Sequence, residues 1–114
     1  MSRLEEQRQV FKGYEYSICD LIEASKDLEV FKIKVCYLGA SAYMPPHHTD
    51  DFEDFAKHAK RTMEADLKYP IILSPDGVIL DGKHRLAKAI ANNIDELLAV
   101  QFLEMPKCGY AINE

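Results

Sequence analysis

The sequence predicts one α+β domain, a small mixed sheet packed by helices, and three observations carry that expectation. A chain of 114 residues can enclose one hydrophobic core but not two independent ones. Apolar runs of strand length at 70–73, 78–80 and 97–103 are set off by Pro, Gly, Asp and Asn. Segments 51–67 and 81–92 instead repeat their apolar residues at helical spacing.

Composition sets the outer bounds. The chain is 47% hydrophobic and 29% charged, which is ordinary globular composition and argues against disorder. It has no apolar run of membrane length, and its polar start does not look like a signal peptide, so a cytoplasmic protein with no membrane partner is expected. A formal net charge of -5 disfavours a broad basic surface for duplex nucleic acid, and any contact with a polyanion must be focal. The three cysteines, Cys19, Cys36 and Cys108, lack a C-x-x-C spacing and suggest neither a disulfide framework nor a zinc ribbon. Cys19 and Cys36 read as packing residues and Cys108 as a free thiol.

In chain order, Ser2 and Glu5 fit a capping box, and Leu4 and Phe11 precede Gly13 by helical spacing. A first helix over 3–12 is expected, ahead of a domain core at about 14–103. Residues 15–18 read as a short strand, and 20–25 as a helix capped by Ser17 or Asp20 with Leu21 and Ile22 inward. Over 30–38, Phe31, Ile33, Val35 and Tyr37 alternate with Lys32 and Lys34, the period of a half-buried strand. Residues 39–49 are aperiodic, hold Pro45-Pro46 and end in His47-His48, which marks a loop. Adjacent histidines in an extended loop point apart, and no third ligand joins Asp50 or Asp51. No metal site is predicted there, and His48 is instead a candidate to face a substrate.

The helix over 51–67 places Phe52, Phe55, Ala56, Ala59 and Met63 on one stripe, read as core. Its other side carries Asp54, His58 and Arg61, either a solvated charge ladder or a strip turned toward a substrate. Glu64 and Asp66 then lead into the Pro70 strand, where an acid could serve as general base or magnesium contact. Beyond Pro106 an irregular tail is expected, packed through Tyr110 and Ile112.

The stretch from Tyr69 to Asn92 holds the chemistry. Two apolar strands flank the turn Ser74-Pro75-Asp76-Gly77, and the second runs through Asp81-Gly82 into a helix that begins Lys83-His84-Arg85. Cations are out of place there, because the positive end of the helix dipole is normally met by carboxylates. The first N–H groups of a helix form an anion site, to which Arg85 adds a fork and Lys83 a point charge. Gly82 would let a ligand approach the backbone. Gly82, Lys83, His84 and Arg85 are therefore candidate phosphate ligands, with Asp81, His84 and Glu64 as candidate catalytic groups. On this reading Arg85→Ala abolishes binding and leaves the fold intact. A blander reading stands beside it, with Asp81 as N-cap and the basic trio paired to acids of the chain.

The residues P-I-I-L-S-P-D-G-V-I-L-D-G-K-H-R-L-A-K-A, from Pro70 to Ala89, resemble the signature of the ParB/sulfiredoxin superfamily. The resemblance extends to about Phe102 and implies a fold that binds nucleotide phosphates at the turn matching Gly82 to Arg85. Members include CTP-dependent partition proteins, ATP-using sulfinic acid reductases, free-serine kinases and nucleases. Lys83 stands where a sulfiredoxin has its catalytic cysteine, and no residues remain after Phe102 for the helix-turn-helix of a partition protein. The D-G-x-H-R turn is nearest the free-serine kinases. It implies a nucleoside di- or triphosphate, carried with magnesium, and hydrolysis or phosphoryl transfer. The rival is a non-enzymatic module that grips DNA or a protein partner through a basic surface joining Lys57, Lys60, Arg61, Lys83 and Lys88.

Overall fold

A computed structural model describes residues 8–38 and 52–112. Seven strands and three helices follow in the order β1 (Arg8–Phe11), β2 (Tyr14–Ser17), α1 (Ile18–Ser25), β3 (Phe31–Lys34), α2 (Phe52–Glu64), β4 (Ile71–Leu73), β5 (Ile79–Asp81), α3 (Lys83–Ala91), β6 (Glu96–Gln101) and β7 (Tyr110–Ala111). The architecture is α+β. One sheet has the order β1-β2-β7 and is antiparallel, and the other has the order β3-β6-β4-β5 and is mixed.

The mixed sheet is the centre because both its faces are covered. Ile71, Leu73, Ile79, Leu97 and Ala99 pack on one side with Leu86 and Ala89 of α3 and with Leu38. Ile72, Leu80, Val100 and Phe102 pack on the other with Tyr16, Ile18 and Leu21. That two-sided burial explains why 71–73 and 97–100 read as continuous apolar runs rather than alternating ones. Strand β6 pairs in parallel with β4 and antiparallel with β3.

Local chemistry fixes the two turns that lead to the site. Ser74 is fully buried, and its Oγ accepts hydrogen bonds from the Asp76 and Val78 N–H groups at 3.2 and 3.0 Å, closing the β4–β5 hairpin around Gly77. The register of β4 on β5 then shifts between Ile72 and Leu73, opposite Leu80, one residue before Asp81. Such bulges re-aim the residue that follows.

Several expectations are corrected. The described part of the predicted first helix, Arg8–Phe11, is a strand. Lys12 and Gly13 both have positive φ, 52° and 86°, the pair a two-residue hairpin turn requires, so Gly13 closes a β-hairpin rather than a helix. Ile22 points outward, while Leu21 and Ser25 are the inner face of α1; Ser17 is its cap, accepting from the Asp20 N–H at 3.4 Å. The strand expected over 30–38 ends at Lys34 and becomes one turn of 3₁₀ helix that buries Leu38 and leaves Tyr37 exposed. Tyr110 and Ile112 are exposed. The tail is held instead by β7 on β2 and by Met105 and Cys108 against the Tyr16 cluster.

The largest correction concerns α2. Its stripe is not core: Phe52, Phe55 and Met63 are 86, 68 and 70% exposed, and no residue of the helix is buried. The helix packs on α3 through its polar side, where His58 meets His84, while Lys88 Nζ donates to the Met63 and Ala65 carbonyls at 3.0 and 2.7 Å. A cation on the last carbonyls caps the helix and anchors it. The sheet face beneath is already filled by α3, Leu38 and Leu67, so no core position is left for the stripe.

Candidate functional site

Gly82 is the N-cap of α3, with φ 118° and no side chain to satisfy the helix's first N–H groups. The first intrahelical bond runs from Leu86 N–H to the Gly82 carbonyl at 3.0 Å. The N–H groups of Lys83, His84 and Arg85 therefore begin the helix without an intrahelical acceptor. Asp81 is not the cap. Its Oδ2 accepts from Arg85 Nη2 at 2.9 Å, one turn along the helix. Gly82 is also required by packing, since a Cβ there would sit 2.8 Å from Ile71 Cβ and 3.2 Å from Arg85 Nη2.

The Asp81–Arg85 pair is the pivot of the region. Its side chains retain only 16% exposure for Arg85 and 20% for Asp81, and Arg85 Nε is buried with no hydrogen-bond partner among the described residues. On one side lies a polar hollow of about 270 Å³ lined by Arg61, Ala65, Asp66, Asp81, Gly82, His84 and Arg85. On the other lies a more apolar cavity of about 500 Å³, whose walls include Leu28, Val30, Tyr69, Pro70, Ile72 and Val100. The two hollows share Asp81 and Arg85. A larger hollow of about 740 Å³, between residues 34–36 and the 93–96 turn, contains none of these groups.

Helix α2 delivers the second wall. His58 Nδ1 lies 3.2 Å from His84 Nε2, and the rings stack at 5.5 Å with an angle of 21° between their planes. One ring nitrogen must donate and the other accept, so the pair in this geometry shares a single hydrogen. Burial pushes the His84 pKa below the ordinary histidine value, and the neighbouring His58 and Arg61 push it the same way against Asp81. A neutral imidazole beside Arg61 can accept a proton or orient a nucleophile.

The predicted residues divide as follows. Gly82, His84, Arg85, Asp81 and Arg61 converge on the polar hollow, and His58 supports it from behind. On α2, Asp54 and His58 are half-buried, while Arg61 is exposed and lines the hollow from its outer side. Lys83 does not line the hollow, although it forms no ion pair among the described residues. Glu64 does not line it either; it lies 4.0 Å from Lys60, and the acid at the site is Asp66, two residues on. His48 lies outside the described residues. Arg85 is held by an internal partner, so Arg85→Ala will not leave the fold untouched as the sequence suggested. The basic surface required for DNA is interrupted, because Lys88 caps α2 while Lys57 and Lys60 lie beside Glu53 and Glu64.

Of the two acids that the sequence offers ahead of the Pro70 strand, Glu64 was the catalytic candidate, but Asp66 is the one that lines the hollow, beyond the end of α2 at Glu64. Tyr69 carries no motif signal in sequence, yet it stands at the rim of the apolar cavity and is 55% exposed. Among the described residues no three His, Cys, Asp or Glu side chains gather to hold a metal ion. No described helix is long and apolar enough to cross a membrane. Comparison with models of known protein families, with curated proteins and with solved structures returned no match.

Proposed function

We propose that this chain is a nucleotide-binding domain of ParB/sulfiredoxin type that takes a nucleoside di- or triphosphate across the Asp81–Arg85 pair. The observation that carries the reading is the adjacency of a polar hollow at an uncapped helix N-terminus and an apolar cavity rimmed by an exposed tyrosine. Phosphate oxygens suit the first, through the N–H groups of Lys83 to Arg85, the Arg61 guanidinium and the imidazole of His84. A base suits the second, against Tyr69, Ile72 and Val100. Lys83, outside the hollow, contributes long-range attraction.

Magnesium would arrive on the nucleotide. It keeps most of its waters and needs only one or two carboxylates beyond the phosphates, which Asp66 and Asp81 can supply. Phosphoryl transfer or hydrolysis asks the protein chiefly for positioning and charge neutralisation. In that chemistry His84 is the proton acceptor, and Asp66 and Asp81 are the acids that line the hollow. The interrupted lysine surface disfavours the rival in which the same turn grips DNA.

Isothermal titration with ATP, ADP, CTP and GTP in the presence of magnesium tests the reading. At least one nucleotide should bind with saturable heat, and Tyr69→Ala should weaken nucleotide binding more than pyrophosphate binding. Absence of heat from all of them at millimolar concentration would overturn it.

A further inference from the structure

We propose that two copies of this chain associate through the outer faces of α2, laid antiparallel. The face consists of Phe52, Phe55, Ala56, Ala59 and Met63, gathered within one side of the helix by its period of about 3.6 residues per turn. Three large apolar side chains at 68 to 86% exposure on one 13-residue helix form a contiguous patch, not scattered surface residues. The opposite, polar side is already occupied by α3, so the helix is fixed with its apolar side outward.

A second copy fits this face for two reasons. Turned end over end about a point between Lys57 and His58, the stripe meets itself in complementary order. Ala56 faces the partner's Ala59, letting the helices approach, and Phe52 faces the partner's Met63, a favourable sulfur–aromatic contact. Charge completes the match. Glu53 and Lys60 border the same edge of the stripe, each also beside an intrahelical partner, Lys57 at 3.7 Å and Glu64 at 4.0 Å; in an antiparallel pair like edges meet, so Glu53 comes beside the partner's Lys60 as well. A parallel pair would instead set the open edge of one copy against the body of the other. A helix pair this short is smaller than the standard interface of about 1,600 Å², so the association is reversible and concentration-dependent.

Sedimentation equilibrium of the full chain from about 10 μM to about 1 mM tests the proposal. A monomer–dimer equilibrium is expected. Phe55→Ser should weaken it at least tenfold with an unchanged circular dichroism spectrum, because the ring carries no core contact to lose. Glu53→Lys and Lys60→Glu should each weaken self-association, whereas an equimolar mixture of the two variants should associate more tightly than either alone. A monomer at every concentration, or a dimer indifferent to Phe55→Ser, would overturn the proposal. A mixture no tighter than its components would overturn the antiparallel pairing.

Discussion

Removing Arg85 should cost the fold far more than a surface cation would. The guanidinium donates to Asp81 at 2.9 Å, and both side chains are mostly withdrawn from water. Deleting one member of a fully buried pair costs about 3–5 kcal/mol, because the other charge stays buried without a partner. The 16 and 20% exposure that remains lets water relieve part of this penalty, so Arg85→Met should destabilise the protein by about 2–4 kcal/mol. For a domain of this size that is a fall in Tm of roughly 10 °C. Replacing both partners, Asp81→Ala with Arg85→Met, removes the orphaned charge and should be less harmful than Arg85→Met alone. Urea unfolding of the wild type, the two single variants and the double variant gives the coupling energy directly, expected to exceed about 1 kcal/mol. A coupling below about 0.5 kcal/mol would mean that the pair behaves as an ordinary surface bridge, and the reasoning would be wrong.

Three further outcomes follow from the geometry. Gly82→Ala forces a side chain into the left-handed region and against Ile71, so a loss of about 2–4 kcal/mol is expected in the same unfolding assay. The His84 pKa lies below its ordinary value of 6.5, so the unfolded chain binds more protons as the solution is acidified; stability present at neutral pH is lost as pH falls through that depressed pKa. Chemical denaturation at about pH 7.5 and about pH 5.5 should show that loss, and His84→Gln should shrink it; an equal loss in the variant would assign the effect elsewhere. Thiol titration with a chromogenic disulfide should find Cys36 fastest, because it is exposed, and Cys108 slower, because burial raises its thiol pKa; the reverse order would contradict the placement of both.

What the sequence discloses here depends on how locally each feature is determined. The run from Ile71 to Ala91 was legible because turn chemistry at Ser74 and Gly77, two apolar strands and the break at Gly82 are written in consecutive residues. The convergence of Asp81, Gly82, His84 and Arg85 follows from that run alone. The existence of α2 was also legible, but not which side faces in. Periodicity reports that a helix has an apolar side, whereas the side that docks depends on what the neighbour offers, and α3 offers His84 and Lys88. The first hairpin was missed because a glycine after Phe11-Lys12 reads equally as a helix stop and as the second residue of a tight turn. The positive φ of Lys12, which decides between them, leaves no mark in composition. The apolar cavity was invisible for a similar reason, since Leu28, Tyr69 and Val100 come from three separated segments.

The central claim is that a phosphate-bearing ligand is held at the start of α3, within reach of the stacked histidines. Nitrogen-detected NMR of the histidine rings during titration with magnesium and the nucleotide of tightest binding reads that claim at the atoms concerned. Bound phosphate should raise the proton affinity of His84, moving its ring nitrogens toward the imidazolium range, with His58 following and the amides of Gly82 to Arg85 shifting together. If the nucleotide binds while both rings and all four amides keep their free-state shifts, the ligand sits elsewhere and the account of this site is wrong.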